Sequence, residues 1–409
     1  MRERSGPAAR LGHNRGPRDA ERRRRLVGRG YRYARFGKLY ISLEREPLTL
    51  IWCLVNATAP LALDLERRSC RGWLRRLPPR PRSYWYVARF VLSLRRPRFV
   101  PPALRDTLLL PVDGHVALPL SMGGYKVIDL RKHTVTTLFA PSSDRCSLVR
   151  HVRTQRRLGR HDFVPSVLSY DLRQRTLVEE YIDGTPTPMV RPAGEALDDT
   201  VLPLLEQFIM AERPREVALH AYLAERSRAV IESLNRLDHA GDRQAVERVV
   251  LEHADRLRRR PDTGLGLVLS HGDLWQENVL RCRGVLYAID WGASDQRAAL
   301  YDAHFASFIA LESEAAERPT LDHVRSRLDH AARWLRRRVQ QRAPERFETL
   351  FPPQLDGAAH RSLFYLEFMA SCARELQEAA GAEVRGLRAR RLRSFADIFE
   401  RFDRFERAA

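Results

Sequence analysis

Between residues 115 and 140 apolar and polar positions alternate, and the spacing predicts three short strands, His115–Leu120, Tyr125–Leu130 and Thr134–Phe139. The first two are joined by Ser121-Met122-Gly123-Gly124, and the turn at Lys132-His133 leads into the third. A helix over Arg145–Leu158 follows, then two extended segments reading VPSVLSYD and TLVEEYIDG. From Leu202 onward the apolar period lengthens to that of a helix. Leu223, Val230, Ile231, Leu234 and Leu237 mark one helix, and Val324, Leu328, Ala331, Leu335 and Val339 another. Leu363, Tyr365, Leu366, Phe368 and Met369 belong to a third, and a last one covers about 387–405. Two apolar runs, Leu265–Leu269 and Val285–Ile289, interrupt this helical part as strands. A β-rich part followed by a helical part predicts an α+β fold.

The chemistry concentrates around those two late strands. The stretch SHGDLWQENVL carries Asp273 in the turn after the first strand, with Asn278 five residues on, and Asp290 ends the second strand before Trp291-Gly292. Such a geometry collects a proton acceptor and two oxygen ligands for a hard cation, the parts that phosphoryl transfer needs. Taken singly, Asp273 and Asn278 also suit ordinary turns, where their side chains bond the local backbone. A metallohydrolase built on His271, Asp273 and Asp290 is another use of these residues, but its further ligand motifs are missing from the sequence.

His271-Gly272-Asp273, then Asn278, then Ile289-Asp290-Trp291, resembles the signature of the aminoglycoside phosphotransferase and choline kinase family, relatives of the protein kinases. The resemblance implies a two-lobed protein-kinase-like fold, with Asp273 as catalytic base and His271 shaping the catalytic turn beside it. It implies Asn278 and Asp290 as ligands of Mg²⁺, ATP as phosphoryl donor, and Asp302 as a structural aspartate. Gly123 and Gly124 stand where the family's glycine loop covers the nucleotide phosphates, although Gly-Gly between strands is equally a plain hairpin turn. Glu180-Tyr181-Ile182 fall at the hinge between lobes, so Glu180 and Ile182 would offer backbone groups to adenine.

The chain departs from the family in the small lobe. The third strand should carry a lysine and the following helix a glutamate that holds it. Here the strand reads Val135-Thr136-Thr137-Leu138-Phe139, and no acid lies between Arg145 and Arg160. Another cation must then meet the phosphates, with Lys126 first in line and Arg150 and Arg153 next, or nucleotide binding is weak or lost.

Charge divides the chain. Residues 1–100 hold 25 Arg/Lys against 7 Asp/Glu, while the whole chain carries a net +20. This predicts a basic extension over 1–100, disordered over 1–28, a nucleotide-binding lobe over 101–187 and a helical catalytic lobe over 188–409. Residues 48–63 are uncharged but only sixteen long, too short for a typical span of about 20 residues. Trp73, Tyr84, Trp85, Tyr86 and Phe90 interleave with arginines, which suits peripheral contact with an anionic membrane, or equally a solvated basic cap. A nucleic-acid groove would share that composition, but no nucleic-acid motif accompanies it. Five dispersed cysteines without a paired motif suit a reducing compartment, hence a cytoplasmic protein, for which the basic extension leaves peripheral contact with the inner face of the membrane as one option.

The expected activity is ATP- and Mg²⁺-dependent phosphorylation of a hydroxyl on a small molecule or glycan. Asp295, Asp302 and the run Glu312, Glu314 and Glu317 are candidates to face a cationic acceptor, or else line solvated helix faces. Two other readings stay open, a pseudokinase that binds nucleotide without turnover and a tether acting through the basic extension.

Overall fold

Alternation in the first part of the chain folds into one antiparallel sheet. The computed structural model describes residues 30–36, 39–56, 85, 88–89, 91–92, 107–120, 123–141, 145–187, 197–314, 320–379 and 382–408. In chain order its first elements are β1 (Tyr31–Phe36), β2 (Leu39–Ser42), α1 (Pro47–Asn56), β3 (Thr107–Leu110), β4 (Val116–Pro119), β5 (Gly124–Asp129), β6 (Thr134–Phe139), α2 (Arg145–Leu158), β7 (Val167–Asp171) and β8 (Thr176–Glu180). The strands lie in the order β3-β1-β2-β4-β5-β6-β8-β7. Lys126 of β5 stands opposite Thr137 of β6, and Val135 of β6 opposite Glu179 of β8. These four residues share one face, because directly paired positions point the same way and alternate positions along a strand do too. The β5–β6 turn is held by Asp129, whose Oδ1 accepts from the backbone N–H groups of Arg131 and Lys132, both at 3.1 Å.

The sheet begins inside the segment that charge marks as an extension, which corrects the boundary drawn at residue 100. β1 and β2 sit between β3 and β4 in the sheet. Tyr33 is fully buried and its hydroxyl donates to Val112 O at 2.8 Å. Arg45 reaches Asp113 at 2.8 Å and Asp129 at 3.0 Å. The tally of arginines hides these strands, since they alternate with the aromatic and aliphatic positions that pack. Of the apolar stretch 48–63, the described part is helix α1, which buries Leu50, Ile51 and Leu54. Residues 1–28, Trp73, Tyr84, Tyr86 and Phe90 lie outside the described residues, and Trp85 carries the Arg89 guanidinium 5.0 Å above its ring. Among the described residues no helix is long and apolar enough to cross a membrane.

The second part contains β9 (Thr185–Pro186), α3 (Leu202–Ala211), β10 (Arg215–Ala218), α4 (Leu219–Ser233), α5 (Ala240–Arg258), β11 (Gly264–Ser270), β12 (Val279–Cys282), β13 (Val285–Ala288), β14 (Asp295–Ala298), α6 (Tyr301–Glu314), α7 (Leu321–Arg342), α8 (Pro344–Leu350), α9 (Gly357–Glu378) and α10 (Ala382–Ala408). Helix α9 is its centre. It buries residues around its whole circumference from Ala359 to Ala373, as a helix wrapped by neighbours must. Asp356 caps it by accepting from Ala359 N at 2.8 Å. Tyr365 stacks on Phe399 of α10 at 4.4 Å, and Phe368 packs edge-on to Phe395 at 4.6 Å. The fold is therefore α+β, a β-rich lobe followed by a helical lobe, as the periodicity predicts. Two small antiparallel sheets, β10-β11-β14 and β13-β12-β9, carry the residues of interest in this second lobe.

Candidate active site

The turn after β11 requires glycine at position 272. Gly272 has φ +82°, and a Cβ there would lie 2.3 Å from Ala293 O. Asp302, at the start of α6, accepts from the backbone N–H groups of His271 at 2.7 Å and Gly272 at 2.8 Å. The His271 ring donates from Nε2 to Ile289 O at 2.8 Å, leaving Nδ1 to accept from Asp273 N at 3.3 Å. Burial holds the His271 pKa below its usual range, so the ring stays neutral in this tautomer. The imidazole is fully buried and packs on Trp291 at 4.6 Å. It ties the turn to the strand that ends at Asp290, and it does not line the cleft.

Asp273 emerges from this turn half-buried, and the Asn278 amide donates to its backbone oxygen at 2.8 Å and to Oδ2 at 3.2 Å. Burial, then the neighbouring Asp290 and Glu375 carboxylates, push the Asp273 pKa up to about 7. A carboxyl with that affinity for protons is suited to accept one near neutral pH.

Asp290 has φ +66°, the left-handed conformation that aspartate and asparagine tolerate better than most residues. Lys126 Nζ of β5 lies 2.9 Å from its Oδ2. Burial works against both charges. The Lys126 ammonium nonetheless holds the Asp290 pKa below the usual carboxylate range, and Asp290, then Glu179, hold Lys126 above its own. Glu179 is buried on β8 and accepts from the Gln155 amide, whose Oε1 meets His151 Nε2 at 3.0 Å. Desolvation keeps His151 below its usual pKa. A lysine and an acid therefore do occur in the small lobe, but on β5 and β8 instead of on β6 and α2.

One cleft of about 470 Å³ is lined by Gly123, Lys126, Thr137, His151, Asp273 and Asp290. Helices α6, α9 and α10 close its other side with Phe305, Ile309, Arg374, Glu375, Glu378, Arg388 and Arg391. Gly123 reaches the cleft, but its N–H donates to Leu120 O at 3.0 Å while Leu120 N donates to Gly124 O at 3.1 Å, so the glycine pair makes a closed hairpin turn. Gly124 is required there, at φ +91°, because a Cβ would lie 2.1 Å from Leu138 O. Glu180 and Ile182 do not line the cleft. The Glu180 N–H is engaged by Ser166 O at 2.9 Å with its side chain exposed, and Ile182 is buried. Of the other cations, Arg150 pairs with Glu378 at 3.0 Å and Arg153 is exposed. Asp302 is spent on the turn, and Asp295 is held by Arg226 at 2.9 Å and Arg374 at 3.2 Å, so neither waits for a cation. The side chains of Glu312, Glu314 and Glu317 lie outside the described residues.

Sequence reasoning missed Glu179 and the arginines of α9 and α10. Glu179 had a signal, since it falls on the same alternating face as Leu177, where a lone acid must be buried with a partner. The arginines had none, because charges at helical spacing read as a solvated face.

Among the described residues no group of three His, Cys, Asp or Glu side chains gathers as a metal cage. The Asp290 carboxylate lines the cleft and the Asn278 amide bonds to Asp273, which lines it too, and all three side chains are oxygen-bearing. They fit a hard cation that takes its remaining ligands from phosphate and water. The Lys126 ammonium on Asp290 shows that this carboxylate demands a positive partner.

No family model and no curated protein matches the chain. Solved structures do. The choline kinase of Streptococcus pneumoniae is 16% identical with a TM-score of 0.42, the likeness covering 67% of this chain and 89% of that one. The ethanolamine kinase of Plasmodium vivax is 12% identical with a TM-score of 0.46, over 78% of this chain and 90% of that one. A choline kinase of Cryptosporidium parvum is 14% identical with a TM-score of 0.45, over 69% and 87%. These neighbours are protein-kinase-like phosphotransferases, the group whose signature the Ser270–Trp291 stretch resembles.

Proposed function

We propose that the protein is a phosphotransferase that moves the γ-phosphoryl group of ATP to a hydroxyl of a small molecule or glycan. The observation that carries this reading is the convergence of Asp273, Asp290 and Lys126 on one cleft from three separate elements. Asp273 takes the hydroxyl proton as the acceptor oxygen bonds to the γ-phosphorus and the bond to the bridging oxygen breaks, releasing ADP. Its raised pKa suits that role. Lys126 places one positive charge where the phosphates would lie, and Glu179 with Gln155 and His151 keeps the strand around it ordered. Asn278 and Asp290 would hold Mg²⁺, which when bound neutralises phosphate charge. His271, Gly272 and Asp302 fix the turn so that Asp273 and Asn278 stay in register.

The direct ion pair between Lys126 and Asp290 favours one second reading, a pseudokinase in which the lysine stands in for the metal. Thermal stabilisation by ATP with and without Mg²⁺, followed by an ADP-release assay, separates the two. Stabilisation that needs both, with ADP formed on addition of acceptor, is expected. ATP stabilisation indifferent to Mg²⁺ and without ADP would give the site to the pseudokinase. No stabilisation under either condition would leave the basic extension as the seat of function.

A further inference from the structure

Between Asp290 and β14 the chain makes one short helical turn, Trp291–Ala293, and the last carbonyl of that turn carries two guanidinium groups. Ala293 O accepts from Arg297 Nη2 at 3.1 Å and from Arg374 Nη2 at 3.0 Å. Both lone pairs of the oxygen are then engaged. The same carbonyl lies against Gly272, where a Cβ would sit 2.3 Å from Ala293 O and 2.5 Å from Arg297 Nη1. The loop that presents Asp290 and the turn that presents Asp273 therefore meet at this oxygen.

Arg297 holds it from inside. The residue is on β14, 1% exposed, with its guanidinium 4.3 Å from the centre of the Tyr301 ring. Nη1 donates to Ser270 Oγ at 3.0 Å, and Nη2 also reaches Ser371 Oγ of α9 at 3.3 Å. One side chain thus ties the residue before His271, the loop after Asp290 and helix α9. Asp295, Asp302 and Glu367 add favourable charge around it, but its hydrogen bonds go to neutral oxygens. A core built for stability alone gains little from such a group. Arg374 holds the carbonyl from the cleft, which it lines, and its Nη1 donates to Asp295 Oδ2 at 3.2 Å. Its planar fork spans Ala293 and Asp295 together, which a single ammonium group does less well.

Resting on the phosphotransferase reading, we propose that Arg297 and Arg374 are positioning residues, which set Asp290 relative to Asp273 by holding Ala293 O from two sides. Arg297 fastens the loop to the turn that carries the proposed base. Arg374 fastens it to α9. Their part is in the spacing of base and metal ligand, and the proton transfer stays with Asp273.

The test compares Arg297→Lys and Arg374→Met with Arg256→Met, which removes an arginine paired with Asp403 of α10 and absent from the cleft. Hydrogen–deuterium exchange of the full chain without ligand reads the joint itself. Arg297→Lys should speed exchange about tenfold over both 270–278 and 288–296, Arg374→Met over 288–296, and Arg256→Met over neither. The Mg²⁺ concentration that half-saturates binding of the non-hydrolysable analogue AMP-PNP should rise about tenfold in both cleft variants. Their kcat for ADP release should fall at least about tenfold with the KM for ATP little changed. A merely destabilised protein would lose active molecules without moving the Mg²⁺ midpoint. Arg374→Lys should recover part of each loss, and the two Arg374 variants carry the test if Arg297→Lys does not fold. Exchange unchanged in the cleft variants, or a Mg²⁺ midpoint unmoved in them, would overturn the proposal. Wild-type protein that binds no AMP-PNP at any Mg²⁺ concentration would instead strike the phosphotransferase reading, and exchange would still decide whether the two arginines join the loops.

Discussion

Lys126 Nζ lies 2.9 Å from Asp290 Oδ2, joining strand β5 to the turn that follows β13. The contact links the two lobes at the proposed phosphate site. It also shows where the small lobe keeps its cation, directly across the ladder from Thr137, the place at which the resemblance implies a lysine.

That register makes the cation testable by exchange. Lys126→Thr should weaken ATP affinity at least about tenfold, roughly 1.4 kcal/mol. Thr137→Lys alone should destabilise the protein, because it sets two ammonium groups opposite each other on one face. The double variant Lys126→Thr/Thr137→Lys should recover part of the lost affinity, measured by fluorescent nucleotide titration. A double variant as weak as Lys126→Thr would show that position 137 does not serve the phosphates.

Asp290→Asn keeps a side chain that tolerates φ +66°, so the backbone should stay as it is while the charge is lost. We expect near-wild-type thermal stability, loss of the Mg²⁺ dependence of ATP binding, and turnover at background. Unchanged phosphorylation rates in this variant would remove Asp290 from the metal site.

Glu367 predicts a pH dependence of stability that is separate from catalysis. It is buried on α9, accepts from Tyr222 OH and from Ala298 N, and burial pushes its pKa up to about 7. In the unfolded chain it releases its proton near 4.3. Between those values the folded state holds a proton that the unfolded state has lost, so its contribution is complete below about 4.3 and is lost as pH rises through 7. The span corresponds to something on the order of 3 kcal/mol. Glu367→Gln keeps an acceptor for both donors and should flatten that decline. Urea denaturation of the two proteins between pH 5 and 8 measures it, and parallel curves would show that Glu367 does not titrate in this window.

Peripheral attachment to an anionic membrane needs a deletion that spares the sheet. Removing residues 1–100 would take out β1 and β2 from between β3 and β4. Removing residues 1–29 takes ten arginines and three acids and leaves the described strands whole. We expect that deletion to lower binding to phosphatidylserine-containing vesicles, with the residual difference shrinking as salt shortens the roughly 8 Å Debye length. Equal sedimentation of both proteins with vesicles would take the attachment away from this segment.

The sequence by itself determined many of the elements and the turn that carries Asp273. Periodicity of two marked β4 to β6, periodicity near 3.6 marked α4, α7, α9 and α10, and Arg145–Leu158 became α2 with those bounds. Asp273, Asn278 and Asp290 were legible because their spacing is local: one turn and one hairpin bring them together, whatever the rest of the chain does. Tertiary structure decided what depends on strands and helices distant in sequence. Only the β5–β6–β8 register shows that Lys126 and Glu179 face the site, since alternation alone leaves either face open. The turn bonds around His271 send its ring into the core, a direction that the motif does not specify. Arg374, Arg388 and Arg391 line the cleft because α9 and α10 pack there, and a charged residue on a helix does not reveal in sequence which neighbour will cover it.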